Sequence, residues 1–189
     1  MQKSKRLHDR MFIKMEKMLS SSFLRYAYMN FFERATLEEF AMVEIERHNK
    51  VLHIGCGPLP NTLITLARNM PAEYVGIDVD EEAVKIARNV VKAYGLKNVS
   101  IEKGDATSYP LQNFDIIIIS YGVEPKERVF YRLKNETKEK VKIVYRKQWD
   151  FMDALYGVKE IVPPGFKIKA FHKRRDLIKS YLLEKAKTV

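Results

Sequence analysis

The chain has 189 residues, of which 46% are apolar and 31% charged, and its formal net charge is +10 at pH 7. This length and composition predict one soluble globular domain and exclude a largely disordered chain. No apolar run approaches the roughly 20 residues that cross a bilayer, and no signal-peptide core follows the basic N-terminus, so we predict a cytoplasmic protein without a membrane partner. The single cysteine, Cys56, excludes an internal disulfide and a cysteine cluster for zinc, and we predict no metal site.

The first two thirds of the chain change from a helical pattern to alternating strands and helices. Over residues 7–48, apolar side chains recur at three- and four-residue steps, with a break at residues 20–22. Over residues 50–121, short β-branched runs alternate with helical ones, which predicts a parallel sheet covered by helices on both faces. The run IIII at Ile116–Ile119 supports this, because a strand buried on both faces need not alternate.

The last part is predicted to contain a short helix near residues 128–133, the strand VKIVYRK, a helix over residues 149–156 and the strand FKIKAFHK. The segment RRDLIKSYLLEKA fits either a helix or a final strand. The predicted fold is therefore α/β, with a doubly wound, mostly parallel, Rossmann-like sheet over residues 49–189 and a short helical extension over residues 1–48.

The segment VLHIGCGPLPN, residues 51–61, has the pattern of a strand, a glycine-rich turn and a helix start, as in many nucleotide-type cofactor sites. Gly55 and Gly57 allow a tight, partly left-handed backbone and a close ligand approach. A dinucleotide site would have a third glycine where Pro60 stands, with free N–H groups for the pyrophosphate. Pro60 fits the first helical turn but lacks a donor, so the turn favours a cofactor without phosphate.

Carboxylates follow the next two predicted strands. Asp78 ends the strand of EYVGID, where it can accept both ribose hydroxyl hydrogens. Asp80 is open to the same interpretation, but we assign it to capping the helix that begins at Glu81. Asp105, in EKGDATSYP, ends the third strand and could accept a hydrogen bond from an adenine amino group.

These segments resemble the class I S-adenosylmethionine-dependent methyltransferases, through HIGCGP, GIDVD, KGDATSYP and FDIIIISYG. The resemblance implies S-adenosylmethionine as the cofactor. It also implies a set of cofactor-binding residues: Gly55, Cys56, Gly57, Pro58, Asp78, Val79, Asp105, Ala106 and Ser120. That family usually carries an acid two residues before the first glycine, where this chain has His53. We interpret His53 as a strand residue packed under a helix, since it could not pair with the cofactor's ammonium in the same way.

A narrower resemblance accounts for the prolines of the turn. IGCGPLPNT is similar to the turn of nicotianamine synthases, which use the same fold and cofactor but transfer aminocarboxypropyl instead of methyl groups. YAYMNFFERATLEEF resembles their tyrosine-rich helix, and RKQWDFMDALY and GFKIKAFHKRRDLIKS resemble later segments, which implies a final strand through residues 179–183. Nicotianamine synthases also carry a larger helical N-terminal portion that contributes a catalytic acid, and no motif makes Glu16 its counterpart.

Transfer from a sulfonium donor needs few catalytic groups, because the leaving thioether is already activated and in-line positioning supplies most of the effect. Tyr28 is a candidate site residue, because an aromatic ring can cover a sulfonium cation, although such rings also seal a helix onto a sheet. Tyr121 follows the fourth strand, where ligands of open α/β sheets gather. Tyr121, Glu124 and His172 are candidate general bases.

We predict an S-adenosylmethionine-dependent transferase, provisionally a methyltransferase acting on a small-molecule acceptor, with aminocarboxypropyl transfer as the close alternative. The positive charge is compatible with an anionic acceptor or with RNA. Nucleic acid is not favoured, because the basic residues are spread along the chain and SYGVEP lacks the double-proline pattern of enzymes that methylate base amino groups. A cofactor-binding subunit without its own chemistry is a further alternative, and the sequence predicts no oligomeric state.

Overall fold

The computed structural model describes residues 24–148, 162–174 and 178–186. These ranges contain four helices and seven strands. In chain order they are α1 (Leu24–Phe40), β1 (Lys50–Ile54), α2 (Asn61–Asn69), β2 (Glu73–Asp78), α3 (Glu81–Ala93), β3 (Val99–Lys103), β4 (Ile116–Ile119), α4 (Lys126–Glu136), β5 (Lys142–Gln148), β6 (Phe166–Lys173) and β7 (Ile178–Lys185). Among the described helices, none combines the length and the apolar character that a membrane span requires.

The described strands form one sheet in the order β3-β2-β1-β4-β5-β7-β6. Strands β1 to β5 pair in parallel, whereas β7 pairs antiparallel with both β5 and β6. The strand order reverses between the neighbours β1 and β4, and ligands of such sheets bind outside the carboxyl ends of the strands at this point. The predicted doubly wound, mostly parallel sheet is confirmed.

Apolar side chains cover both faces of the sheet, and β4 illustrates this arrangement. Ile116 and Ile118 belong to the cluster beneath α2 and α3, whereas Ile117 and Ile119 belong to the cluster beneath α4. All four side chains are at most 1% exposed. The run IIII is therefore a strand buried on both faces, as its lack of alternation indicates.

The final segment is a strand, which confirms the prediction for residues 179–183 and extends it to Ile178–Lys185. Its central residues, from Ser180 to Leu183, are all buried. Because the strand is covered on both faces, the sequence shows no period of two. The predicted helix over residues 149–156 and the helical pattern over residues 7–20 lie outside the described residues.

The predicted helical pattern up to residue 48 is too long, since α1 ends at Phe40. Turns and irregular backbone follow. Val43 is 4% exposed and belongs to the same core cluster as Phe40. The apolar spacing thus continues beyond the helix, because a turn residue still packs into the core.

Candidate functional site

A cavity of about 610 Å³ lies beyond the carboxyl ends of β1, β2 and β4. Its volume is within the range of about 300–1,000 Å³ that ligand pockets occupy. Eight of the nine predicted cofactor residues line it: Gly55, Cys56, Gly57, Asp78, Val79, Asp105, Ala106 and Ser120. Pro58 is buried and is not part of this lining.

The glycine turn is held against β2 by its main chain. The N–H groups of Gly55 and Cys56 both donate to the carbonyl oxygen of Ile77, at 2.9 and 3.0 Å. Gly55 and Gly57 have φ angles of 72° and 68°, in the left-handed region that side chains disfavour. A Cβ added to Gly55 would lie 2.9 Å from Cγ2 of Val123. Glycine is therefore required at position 55 both by conformation and by space.

The prolines set the geometry after the turn. Pro60 immediately precedes α2, so the prediction that it lies in the first helical turn is wrong by one residue. Its carbonyl oxygen accepts from the N–H of Ile64 at 3.0 Å, which begins the helical hydrogen-bond ladder. Because proline has no N–H, this helix end lacks a donor that a pyrophosphate would need.

Asp78 joins the turn to the start of α3. Its Oδ2 accepts from the N–H of Gly57 at 2.9 Å, and its Oδ1 accepts from the N–H of Asp80 at 3.0 Å. Each carboxylate oxygen can accept a second hydrogen bond, so both keep capacity for a ribose hydroxyl. Val79, which follows, is 64% exposed, an unusual exposure for a large apolar side chain that lines a cavity.

Asp80 caps α3. Its Oδ1 accepts from the N–H groups of Glu82 and Ala83 at 2.9 and 3.3 Å. The predicted role of Asp80 as the cap of this helix is confirmed.

The loop after β3 is anchored from α4. Asp105 is exposed, and a hydrogen bond from Thr107 lowers the pKa of its carboxyl group. The buried guanidinium of Arg132 donates to the carbonyl oxygens of Ala106 and Tyr109 at 2.7 and 3.0 Å. The position of this loop therefore depends on Arg132, a residue that no sequence motif had pointed to.

His53 is a buried residue of β1, in agreement with its interpretation as a packed strand residue, and it also lines the cavity. The Ser120 hydroxyl donates to the Gly55 carbonyl oxygen at 2.8 Å and lies 3.0 Å from Nε2 of His53. Since that hydroxyl proton is engaged, we assign Nε2–H as the donor to Ser120 Oγ. Nδ1 is then an acceptor, and it has no hydrogen-bond partner among the described residues. Burial, reinforced by the charge of Arg146, lowers the pKa of His53 to about 3, so the ring is neutral near pH 7.

A buried ionic cluster borders the same cavity on the side of β5 and β7. Glu39 of α1 accepts from Nε and Nη2 of Arg146 at 2.8 and 2.7 Å. Nη1 of Arg174 and Oγ of Ser180 also donate to this carboxylate, at 2.7 and 2.6 Å. Arg146 and Arg174 line the cavity. The cluster therefore connects α1 to the antiparallel half of the sheet and places two guanidinium groups at the site.

Burial raises the pKa of Glu39, but the charges of Arg146 and Arg174 and the hydrogen bonds from Arg146 and Ser180 outweigh this and bring it to about 2. The carboxylate is ionised near pH 7. Sequence reasoning missed this cluster, because Glu39 in LEEF has the pattern of a surface acid and Arg174 stands in a run of basic residues. The available signal was Arg146, a charged residue inside the apolar strand run VKIVYR.

Only some of the candidate reaction residues line the cavity. Tyr121 and Glu124 line the cavity, and Glu124 pairs with Lys126 at 3.4 Å. Tyr28 lies in α1, but its side chain is outside the described part of the chain; Phe32, one turn later, lines the cavity. His172 lies on β6 and is not part of the lining.

The glycine turn, the ribose acid and the anchored loop thus converge on one cavity at the point where the strand order reverses. Residues 45–162, more than half of the chain, match the methyltransferase domain family. The chain belongs to this family. The cofactor of this methyltransferase family is S-adenosylmethionine, as the sequence predicted.

Two curated relatives match this chain over short segments. One segment of 73 residues is 45% identical to the ribosomal protein L11 methyltransferase of Caldanaerobacter subterraneus subsp. tengcongensis, and covers 36% of this chain and 22% of that protein. Another, of 53 residues, is 38% identical to the L-histidine 2-aminobutanoyltransferase of Pseudomonas aeruginosa, and covers 28% of this chain and 20% of that protein. The matched segments therefore span about a fifth of the length of these relatives.

A solved structure matches this chain over nearly its whole length. It is a point variant of MtNAS, a nicotianamine synthase, in complex with S-adenosylmethionine. The superposition has a TM-score of 0.77 at 23% identity and covers 96% of this chain and 75% of the other. The two proteins share the Rossmann-like class I methyltransferase fold.

Proposed function

We propose that this protein is an S-adenosylmethionine-dependent transferase, a methyltransferase acting on a small-molecule acceptor. The observation that supports this best is the convergence of Gly57, Asp78 and Val79 on one cavity of about 610 Å³. The left-handed turn leaves room for a close ligand approach, and the carboxylate keeps acceptor capacity for a ribose. The 64% exposure of Val79 supplies an apolar surface for an adenine ring.

Each predicted cofactor residue has a proposed task in this cavity. Asp78 accepts the ribose hydroxyls, Val79 and Ala106 contact the adenine, and Asp105 accepts from its amino group. The turn residues Gly55, Cys56 and Gly57 border the methionine end, with Pro58 supporting the turn from the interior. Ser120 positions the turn, because its hydroxyl donates to the Gly55 carbonyl oxygen.

The main contribution of the protein to the reaction is to position the two substrates relative to each other. S-adenosylmethionine supplies a carbon bound to a sulfonium, which is already activated for transfer. The protein must hold the acceptor nucleophile in line with that carbon, and a general base is needed only if the acceptor is protonated. Tyr121 and Glu124 are the candidates that line the cavity, and Tyr28 is a candidate to cover the sulfonium.

Aminocarboxypropyl transfer is the second candidate function. It is supported by the turn IGCGPLPNT, by the fold match to a nicotianamine synthase over 96% of the chain, and by the local identity to a 2-aminobutanoyltransferase. The two functions share one cofactor and one cavity. They differ in which of the carbons bound to the sulfonium is attacked by the nucleophile.

Identification of the nucleoside product distinguishes these functions. The protein is incubated with S-adenosylmethionine and a panel of small amine, hydroxyl and carboxylate acceptors, and the products are separated by chromatography. Methyl transfer leaves S-adenosylhomocysteine, whereas aminocarboxypropyl transfer leaves methylthioadenosine. Formation of methylthioadenosine in step with acceptor product, without S-adenosylhomocysteine, would contradict the methyltransferase assignment. RNA transcripts in the same panel test the nucleic-acid alternative.

A further inference from the structure

Arg146 is a buried cation at the wall of the proposed cofactor and acceptor cavity. Only 6% of the residue is exposed, yet it is part of the lining. Its Nε and Nη2 donate to Glu39, and its Nη1 donates to the hydroxyl of Thr62 at 2.9 Å. Among the described residues, three of its five N–H groups are thus engaged and the guanidinium is held from two sides.

Glu39 is shared between two cations that reach the cavity wall. Its carboxylate accepts from Arg146 and from Arg174, and both arginines line the cavity. A buried charge is stable only when it is paired and hydrogen-bonded. His53, beside the cluster, is neutral because burial and the charge of Arg146 lower its pKa to about 3. With two guanidinium groups at the wall and a neutral imidazole beside them, this side of the cavity favours an anionic group.

We propose that Arg146, oriented by Glu39 and Thr62 and flanked by Arg174, forms a carboxylate-binding subsite of the cavity. Guanidinium groups present a planar set of donors that matches a carboxylate. The inference rests on the proposed function, because it concerns the same cavity. Two ligands can supply the carboxylate: the amino-acid end of S-adenosylmethionine, or the acceptor.

A purely structural role would require only that the cluster attach α1 to the sheet. That role accounts for the bonds between Glu39, Arg146 and Ser180, since they connect α1 to β5 and β7. It does not account for the placement of both arginines at the cavity wall. A ligand carboxylate accounts for that placement.

The test compares the wild type with Arg146→Lys, which keeps the positive charge but loses the planar donor set. Arg88→Lys is the control, because Arg88 is an exposed arginine of α3 that donates to the Ile101 carbonyl oxygen and is not part of the cavity lining. Calorimetry measures the affinity of each protein for S-adenosylhomocysteine and for methylthioadenosine, which lacks the amino-acid end. Glutamate, followed by the shift in melting temperature, serves as a carboxylate probe that does not depend on the cofactor.

If the cofactor supplies the carboxylate, Arg146→Lys weakens S-adenosylhomocysteine at least tenfold and leaves methylthioadenosine unchanged. If the acceptor supplies it, both nucleosides bind as before, while stabilisation by glutamate is lost in Arg146→Lys and retained in Arg88→Lys. Unchanged responses to all three probes in folded Arg146→Lys would overturn the subsite. A wild type that binds glutamate but neither nucleoside would contradict the proposed function and leave the subsite supported.

Thr62→Val is the second variant if Arg146→Lys does not fold. It removes the hydroxyl that orients Nη1 and keeps the ion pair with Glu39. A smaller loss in the same probe is expected, and an unchanged response in this variant would equally overturn the subsite.

Discussion

The main-chain N–H of Gly57 donates to the carboxylate of Asp78 at 2.9 Å, so that the glycine turn and the acid at the end of β2 are fixed to each other across 21 residues. The same carboxylate accepts from the N–H of Asp80. The Asp78 side chain, the proposed ribose acceptor, is therefore oriented before any ligand binds. Ligand binding need not supply the entropy cost of ordering this side chain.

Asp78→Asn is expected to weaken S-adenosylmethionine roughly 10- to 100-fold, since a hydrogen bond to a charged group contributes about 1.5–3 kcal/mol. The asparagine oxygen keeps one of the two main-chain bonds and its NH2 group faces the other N–H, so circular dichroism is used to select a folded variant. Asp80→Ala is the matched control. It removes the cap of α3 and should lower the free energy of unfolding by about 1 kcal/mol while leaving cofactor affinity near the wild-type value. Calorimetry and urea unfolding measure the two effects, and the reverse pattern would exchange the assigned roles.

Gly55→Ala should destabilise the protein more than Gly95→Ala. Both glycines have positive φ, so each alanine costs about 1–2 kcal/mol of backbone strain. A Cβ on Gly55 would in addition approach Val123 to 2.9 Å, whereas nothing lies within 4 Å of one on Gly95. Urea unfolding of the two variants gives the difference, and equal losses would show that the space around Gly55 is not limiting.

His53 should make stability depend on pH. Its pKa in the folded protein is about 3, against 6.5 for an unperturbed histidine, so the unfolded state binds the proton more readily. The stabilisation is complete above pH 6.5 and decreases by up to about 1.4 kcal/mol per pH unit as the pH falls towards 3. The free energy of unfolding of wild type and of His53→Gln is measured at pH 7.5 and at pH 5. The advantage of the wild type should be smaller at pH 5, because the stated slope acts between pH 6.5 and 5. A difference independent of pH would mean that His53 titrates normally.

Glu39→Gln should lower the free energy of unfolding by about 3–5 kcal/mol, because it leaves two guanidinium groups around a neutral amide. Glu38→Gln, which alters an exposed pair with Arg34 on the same helix, should cost less than about 0.5 kcal/mol. Because the pKa of Glu39 is lowered to about 2, its contribution is complete above pH 4.5 and is lost as the pH falls through 2. Comparable losses in both variants at pH 7 would contradict the assigned role of the cluster.

Local signals predicted much of the fold and of the site. Strand ends, the positive-φ glycines and the cap at Asp80 all depend on residues close together in the sequence. The final segment was ambiguous, because a strand buried on both faces lacks a period of two. Its family resemblance, rather than its periodicity, selected the strand.

The ionic cluster could not be predicted, because its members lie far apart in the chain. Glu39 and Arg146 are separated by 107 residues, and Glu39 and Arg174 by 135. No spacing rule relates such positions, and only the order of the strands brings them together. The boundary between the extension and the sheet domain at residue 48 stays a prediction, although the burial of Phe40 and Glu39 shows that α1 packs against the domain.

Calorimetric titration of S-adenosylmethionine into the wild type and into Gly57→Arg tests the central claim most directly. Gly57 lies at the cavity wall with its N–H bound to Asp78, so an arginine at this position would occupy the space proposed for the ligand. We expect saturable binding to one site in the wild type, competition by S-adenosylhomocysteine, and loss of binding in Gly57→Arg while circular dichroism shows a folded chain. Equal affinity in the two proteins, or no binding to the wild type, would contradict a cofactor site at the glycine turn.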